Sequence, residues 1–524
     1  MALSLFTIAS AILWVSPRPY GKLLGLQLGL FIIALHASML AIGGIGAAQT
    51  GAQALYSEFG LGEFVFRTGH FDPAPPELWR LNWPGAMVLN AVIMLLFDNN
   101  DASFVLTINL IIWIPLMTLL GYLFMRSTIG KDNVNHCMAG TWIFFIANWV
   151  LYYIMPSVLG YLLLLTILGL LAILVLQRRN SFAHRLNLVL LLLVLPAIHL
   201  LTAIVTSTVL LALYITRRTT ISGLAMTILV TSTLIWTYYI TNEFFEWRLP
   251  VFMEQIEAAF RLDILWNLGV TERMVGSEAH HTVNQLRVVS SVIFIFIGLA
   301  GSMIMLKGKK ITINDKFVVT IAIGILVASF IISGSYKWEL IQRTYIFMVP
   351  AIAYFGVKLL KYKITAIVLT ILLIVGIPLH FVTQYGNALV DNVSPAESRG
   401  TYFFHEHTTQ GFLTGAIVHF PIGTMVHRES YYWVFIEQIR LEDNMLKHPI
   451  GAPDYTNHYV YLRPDDQAIY EFLGAGEDEH INDYSKYMLG EVIQHIDSST
   501  NFNLICINPE LSLYSGRSTL YDSN

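Results

Sequence analysis

Residues 56–85 read YSEFGLGEFVFRTGHFDPAPPELWRLNWPG, a long polar segment between apolar ones near the start of the chain. Its candidate functional side chains are charged, imidazole or indole groups able to contact a ligand: Glu58, Glu63, Arg67, His70 and Trp83. Folded scaffolds present binding and catalytic groups on loops, and long loops are seldom plain connectors. We therefore expect this segment to carry a site.

The composition indicates a membrane protein. Of the 524 residues, 55% are hydrophobic and only 13% are charged, whereas a soluble chain carries about 25% charged residues. The first fifteen residues are apolar but lack a basic start and a small-residue cleavage site, so we interpret them as a retained span. The net charge of -4 comes without a basic stripe, and no nucleic-acid partner is expected.

Apolar windows of about 19 residues define the predicted spans. They lie at 2–16, 23–45, 103–125, 138–155, 157–177, 186–199, 200–216, 221–241, 286–306, 316–334, 343–359 and 364–384. These about 12 transmembrane helices predict a mainly α, polytopic membrane protein, with the segment 186–216 divided at Pro196. The stretch 84–97 is shorter than the roughly 20 residues that a spanning helix needs, so we expect a short dipping or interfacial helix there.

Basic residues support this arrangement through the positive-inside rule. With 84–97 entering and leaving on one side, the basic clusters all fall on the cytoplasmic face: Arg18/Lys22, Arg126/Lys131, Arg178/Arg179/Arg185, Arg217/Arg218, Lys307/Lys309/Lys310 and Lys358/Lys361/Lys363. The other face then carries the elaborated polar segments: loop 46–83, the turn 148–156, loops 242–285 and 335–342, and the tail from 385. We predict a transmembrane domain, 1–384, and an extracytoplasmic domain, 385–524.

The tail has the pattern of a small α/β or α+β domain. A capping box with proline at the first helical position begins a helix at Ser394. Strand-like runs follow at 416–420, 458–462 and 504–507, with a helix near 486–496. Loop 242–285 contains an amphipathic stretch, 252–264, which we expect to lie in the membrane interface.

The order of these features resembles the GT-C class of membrane glycosyltransferases, and its archaeal and bacterial members in particular. That class includes oligosaccharyltransferases, protein O-mannosyltransferases and aminoarabinose transferases. The matching pieces are short: Glu58-x-Gly60, Arg67-Thr68-Gly69-His70, Asn82-Trp83-Pro84-Gly85, Asn148-Trp149 with Tyr152, His199-Leu200-Leu201-Thr202, and Gln342-Arg343. The resemblance covers nearly the whole chain and supports a class rather than a substrate.

The resemblance implies that a sugar moves from a polyisoprenyl-phosphate carrier to an acceptor at the outer face of a prokaryotic cell membrane. An acceptor hydroxyl needs a carboxylate base, and the departing lipid phosphate needs a cation. Glu58, followed by Glu63, is the candidate base, and the guanidinium of Arg343 is the candidate phosphate ligand. Further candidate substrate contacts lie in the same outer segments: Arg67, His70, Trp83, Asn148 and Tyr152.

Participation of a divalent cation stays open. Many relatives have a second acidic residue in the turn 148–156, where this chain has Asn148, Tyr152 and Tyr153, and that departure weakens a metal-assisted mechanism. His405 and His407 are two residues apart and would not share a helix face. The sequence therefore assigns no metal ligand.

Two other functional classes also stay open. A transporter or a flippase of lipid-linked glycans would keep ionisable groups at mid-membrane and show repeated halves. The predicted spans hold His36 and His199 as their main ionisable groups, and we find no internal repeat. A polymerase or ligase of surface polysaccharide would share the many spans and the external arginines, but it would normally place its large loop between late spans.

Overall fold

The computed structural model describes residues 60–70, 83–99, 102–130, 132–149, 156–178, 181–216, 221–242, 278–308, 311–386, 403 and five short strands beyond residue 410. The described helices, in chain order, are α1 (Gly60–Thr68), α2 (Gly85–Phe97), α3 (Ala102–Ile129), α4 (Val134–Ala147), α5 (Pro156–Val175), α6 (Phe182–Ile198), α7 (Leu200–Ile215), α8 (Ile221–Tyr239), α9 (Glu278–Lys307), α10 (Ile313–Gly356) and α11 (Lys363–Tyr385). A 3₁₀ turn, Val357–Lys361, follows α10.

Within this part of the chain, five segments are long and apolar enough to cross a membrane: Pro156–Val175, Thr282–Lys307, Ile313–Phe330, Arg343–Lys361 and Lys363–Gln384. Shorter apolar helices accompany them, and the chain is an integral membrane protein. The ten predicted spans from residue 103 onward all fall on helices. The first two spans, the stretch 252–264 and the predicted tail helix near 486–496 lie outside the described residues.

Two predicted boundaries were wrong. The span predicted at 138–155 ends as α4 at Ala147, because Asn148 leaves the helical region of backbone space, with φ −95° and ψ 89°. Asparagine competes with the helix ladder through its own side chain and favours such ends. Loop 242–285 is also shorter than predicted, since α9 already begins at Glu278.

Helix α10 folds back on itself. Its backbone is helical over 44 residues, from Ile313 to Gly356, so the predicted loop 335–342 is helical as well. A straight helix would separate Ser329 from Thr344 by about 22 Å, yet the Thr344 hydroxyl donates to the Ser329 hydroxyl over 2.8 Å. The chain therefore reverses between these residues, and the two predicted spans, here the first and second arms of α10, run antiparallel.

The helical segment predicted at 186–216 does divide, but not at Pro196. Pro196 lies inside α6, and the break comes three residues later at His199, whose backbone is extended with φ −160° and ψ 108°. Helix α8 packs against both halves, and its Ser232 reaches the Leu192 carbonyl of α6. This contact indicates that α6 doubles back beside α7.

Ser232 explains how α6 accommodates a proline. Because Pro196 has no N–H, the Leu192 carbonyl four residues earlier loses its helical donor. The Ser232 hydroxyl lies 3.3 Å from that carbonyl and 2.9 Å from the Leu229 carbonyl of its own helix, so it shares one proton between them. Hydroxyl groups of neighbouring helices commonly supply such donors in membrane proteins.

We expect Ser232→Ala to lower the free energy of unfolding by about 0.5–1 kcal/mol, the usual range for hydrogen bonds between membrane helices. In a Pro196→Ala background the new N–H of residue 196 satisfies the Leu192 carbonyl, and the same change should cost less. Unfolding of the four proteins in one detergent measures the coupling. Ser302→Ala, which removes an exposed hydroxyl bonded within its own helix, is the control. Equal losses in both backgrounds would contradict the pairing.

Helix α9 runs parallel to the second arm of α10 at close range. A Cβ on Gly298 would lie 3.2 Å from the Ile352 Cα, and one on Gly301 would collide with the Phe355 carbonyl. The two contacts are three residues apart on α9 and three residues apart on α10, so the two helices advance together along this turn. The two glycines therefore fix the register of α9 against α10.

Helix α2 confirms the short helix predicted at 84–97. It has 13 residues, about 20 Å of helix, which is shorter than a hydrocarbon core. Its last residues, Leu95, Leu96 and Phe97, are 71%, 74% and 51% exposed, and Asp98 ends the helix in a left-handed conformation. An apolar tip of this kind suits the membrane interface.

The tail contains one five-stranded sheet with strand order β2-β1-β3-β5-β4. The strands are β1 (Gly411–Gly415), β2 (Tyr431–Phe435), β3 (Asn457–Leu462), β4 (Phe502–Asn508) and β5 (Leu511–Arg517). The pairs β1–β2 and β1–β3 are parallel, whereas β3–β5 and β4–β5 are antiparallel. Strands predicted at 458–462 and 504–507 are confirmed, the run 416–420 lies outside the described residues, and β1, β2 and β5 were not predicted.

Candidate functional site

The predicted site residues fall into two groups. Glu58 and Tyr152 lie outside the described residues. The others are described, and we find them near one end of the helix bundle: Glu63, Arg67, His70, Trp83, Asn148 and Arg343. That end is formed where α4, α6 and α11 finish and where α5, α7, α9 and the second arm of α10 begin.

Glu63 and Arg67 form an ion pair on α1. The Arg67 Nε and Nη2 atoms donate to Glu63 Oε1 over 2.9 and 2.5 Å, one helical turn apart. The Glu63 side chain is 1% exposed, whereas that of Arg67 is 47% exposed. The carboxylate therefore faces the protein and the guanidinium faces outward. Glu63 would have to leave this pair to accept a proton from a substrate.

His70 closes the end of α1. Its Nδ1 lies 3.0 Å from the Thr68 carbonyl, the Thr68 hydroxyl donates to the His70 carbonyl, and the ring meets Phe64 edge-on. Gly69 between them has φ +74°, a conformation that favours glycine. His70 itself is exposed.

Helix α1 is fixed to the bundle through α2. A Cβ on Gly62 would lie 2.6 Å from the Asn90 Cβ, so only glycine permits this approach. Trp83 and Asn90 are both buried, at 7% and 1% exposure. At the start of α2, Gly85 packs so closely on Ile198 that a side chain would collide with it. The first loop is thus held against the α6–α7 junction.

His199 lies in that junction and connects it to Arg343. Its Nδ1 is 2.8 Å from the Thr202 hydroxyl, and Gly160 of α5 packs against both side chains. Arg343 is close enough for its charge to act on the His199 ring. We call His199, its partner Thr202 and the nearby Arg343 the Arg343 cluster.

A second group of polar and aromatic side chains lies on the other side of α10. The Trp149 indole N–H donates to the Ser291 hydroxyl over 3.1 Å, and the Tyr345 hydroxyl donates to the Ala147 carbonyl over 2.6 Å. The rings of Trp149 and Tyr345 stack, with centroids 6.3 Å apart and planes 16° apart. Asn148 is fully buried, and its amide donates to the Met117 sulfur.

Arg287 and His380 complete this group, which we call the Trp149 cluster. The Arg287 Nε donates to the Thr383 carbonyl over 2.8 Å, and its guanidinium lies 5.7 Å above the Trp149 ring. His380 is buried beside the Phe145 ring, with Nδ1 3.2 Å from the Ile146 carbonyl. Both residues fall inside predicted spans, so the expectation that His36 and His199 were the main ionisable groups there was wrong. A charge within an apolar helix was the signal available.

The second arm of α10 separates the two clusters. Residues 343 and 345 point about 200° apart around a helix with 3.6 residues per turn. Arg343 acts on His199 at the α6–α7 junction, whereas Tyr345 reaches the end of α4. The arm thus places a cation towards the α6–α7 junction and a phenol towards the end of α4.

The fold matches a solved membrane enzyme. The crystal structure of ArnT from Cupriavidus metallidurans bound to undecaprenyl phosphate superposes with a TM-score of 0.53, covering 97% of this chain and 100% of that one at 11% sequence identity. The chain has the GT-C fold. At this identity the likeness defines the architecture, and the chemistry has to be argued from the residues.

Two further solved structures are similar to the chain at lower scores. The oligosaccharyltransferase of Archaeoglobus fulgidus tethered to an acceptor peptide gives a TM-score of 0.48 at 12% identity, covering 85% of this chain and 71% of that one. The archaeal oligosaccharyltransferase AglB from the same organism, in complex with an inhibitory peptide and a dolichol-phosphate, gives 0.42 at 12% identity, covering 80% and 62%. No protein-family model and no curated protein sequence matches the chain.

Proposed function

We propose that this protein transfers a sugar from a polyisoprenyl-phosphate carrier to an acceptor hydroxyl on the extracytoplasmic face of the membrane. The observation that carries the proposal is the placement of Arg343, a permanent cation, at one end of the helix bundle near His199 of the α6–α7 junction, on which α2 also packs through Gly85. The chain also spans the full length of ArnT, a structure bound to undecaprenyl phosphate.

Arg343 is the proposed phosphate ligand. A guanidinium donates two parallel N–H groups to phosphate oxygens and stays charged at every physiological pH. As the bond between the sugar C1 and the phosphate oxygen breaks, Arg343 would stabilise the charge left on the lipid phosphate.

Glu58 is the proposed base. It would take the proton of the acceptor hydroxyl while the acceptor oxygen forms its new bond to C1, so that the proton ends on the carboxylate and the electron pair of the broken bond on the phosphate. Glu63 is the second candidate, but its pairing with Arg67 gives it a structural task. His70, Trp83, Asn148 and Tyr152 are proposed to contact the sugar or the acceptor, and Arg67 would do so through its exposed face.

A turnover assay tests the proposal. The purified protein is incubated with a panel of synthetic polyisoprenyl-phosphate sugars and mixed glycan, lipid and peptide acceptors, and the release of free polyisoprenyl phosphate is measured by mass spectrometry. We expect one donor to be cleaved, with the sugar appearing on an acceptor. Movement of intact lipid-linked sugar across a vesicle without cleavage would instead identify a flippase and contradict the proposal.

A further inference from the structure

The end of the bundle opposite Arg343 is rich in lysine. The second arm of α10 and its 3₁₀ turn run from Arg343 to Lys361, about 27 Å along a helix at 1.5 Å per residue. This length equals roughly the thickness of a hydrocarbon core of about 30 Å. Lysines at that end therefore lie at the opposite membrane surface from the proposed site.

Three helices bring their lysines together there. An ion pair of 2.7 Å joins Asp315 at the start of α10 to Lys358 at its end, so Lys316 lies level with the 3₁₀ turn. Helix α9 packs parallel to the second arm, with Gly301 against Phe355. Six residues further along each helix, Lys307 therefore lies level with Lys361. Lys363 follows at the first position of α11.

The Asp315 carboxylate at this end already has hydrogen-bond and ion-pair partners. Asp315 is 2% exposed, accepts hydrogen bonds from the Tyr354 hydroxyl and from Thr312, and forms its ion pair with Lys358. The other lysines at this end are exposed, and none of them forms an ion pair with another described residue: Lys307, Lys316, Lys361 and Lys363. We call these four the lysine cluster. Its four ammonium groups have no ion-pair partner within the described part of the chain.

Apolar side chains stand beside the lysine cluster. Ile313, Tyr362 and Ile364 are 55%, 50% and 77% exposed, and the Lys361 ammonium lies 5.4 Å from the Tyr362 ring. A small soluble anion gains nothing from such neighbours. A lipid does, because its headgroup carries negative charge and its acyl chains cover aliphatic surface.

We propose that the lysine cluster binds the headgroups of anionic membrane phospholipids and thereby holds the ends of α9, α10 and α11 at one membrane surface. Lysine side chains near a membrane contribute about 1 kcal/mol each to attraction for anionic lipid. The buried Asp315–Lys358 pair supports this role, since it keeps the two arms of α10 at the same level while leaving the exposed lysines for the lipid. This site is separate from the proposed sugar-transfer site.

Titration of the full-length protein in a nonionic detergent with phosphatidylglycerol, followed by native mass spectrometry, tests the proposal. Lys361→Gln combined with Lys363→Gln should weaken phosphatidylglycerol binding roughly thirtyfold, the product of two lysine contributions. Lys307→Gln with Lys316→Gln, on two other helix ends, should have a similar effect. The matched control is Arg178→Gln with Arg185→Gln, which removes two charges from a different basic segment and should change binding less than twofold.

The outcomes distinguish a phospholipid site from a site for small anions. Preference for phosphatidylglycerol over phosphatidylcholine, lost in both lysine variants and kept in the control, supports the proposal. Binding unchanged in the lysine variants, or equally weakened in the control, would overturn it. Displacement of the lipid by millimolar inorganic phosphate would also overturn it, because the site would then recognise a free anion.

Discussion

Glu58→Gln is expected to lower the rate of sugar transfer by on the order of a hundredfold or more, the usual scale for removal of a general base. The substitution keeps the size and hydrogen-bonding shape of the side chain but cannot accept the acceptor proton. Glu58 stands two residues before the start of α1 at Gly60, and Gly62 of α1 packs directly on Asn90 of α2. The measurement is transfer rate under saturating donor.

Glu63→Gln is the matched control, because it removes the same charge from the same loop. The Glu63 carboxylate is buried and paired with Arg67, so the change should act mainly on stability and be visible as a lower unfolding midpoint. Retained activity in Glu58→Gln together with loss in a folded Glu63→Gln would assign the base to Glu63. Full activity in both variants would remove the proposed mechanism.

Arg343→Lys is expected to weaken binding of a polyisoprenyl phosphate by about tenfold or more, although it conserves the charge. Lysine loses the planar two-donor fork, and hydrogen bonds to charged groups contribute about 1.5–3 kcal/mol. Binding is measured by titration with synthetic carrier.

Arg126→Lys supplies the control for this experiment. Arg126 is an exposed arginine in the last turn of α3, and the same substitution there should leave carrier binding unchanged. Lys337 is the rival cation near the turn of α10. Unchanged binding in Arg343→Lys, with loss in Lys337→Gln, would transfer the phosphate role to Lys337 and reduce Arg343 to an interface anchor.

Hydropathy predicted the helices because membrane spans are long and almost uniformly apolar, a property that is local in sequence. The contacts that place the site are not local. From the sequence, Pro196 was the expected position of the break between α6 and α7. In the structure Pro196 lies inside α6, where the Ser232 hydroxyl of α8 donates to the Leu192 carbonyl, and the break is at His199. Sequence patterns do not show which hydroxyl will meet which carbonyl.

The same reason explains the missed residues. Arg287 is positioned by the Thr383 carbonyl and the Trp149 ring. His380 is positioned by the Ile146 carbonyl. All of these partners are distant along the chain. The motifs at Trp83, Asn148 and Arg343 could be selected from the sequence because they stand at the ends of apolar segments. That Arg343 and Asn148 lie on different sides of one helical arm became visible only from the packing.

The most direct test of the central claim, that a polyisoprenyl phosphate is held at the Arg343 end, is photo-crosslinking. A carrier with a diazirine on its first isoprene unit is bound to the purified protein and irradiated, and the labelled peptides are mapped by mass spectrometry. The account predicts labels on the first turns of the second arm of α10, near residues 343–349, which disappear in Arg343→Gln and in excess unlabelled carrier. Labels confined to the lysine end near residue 361 would contradict it.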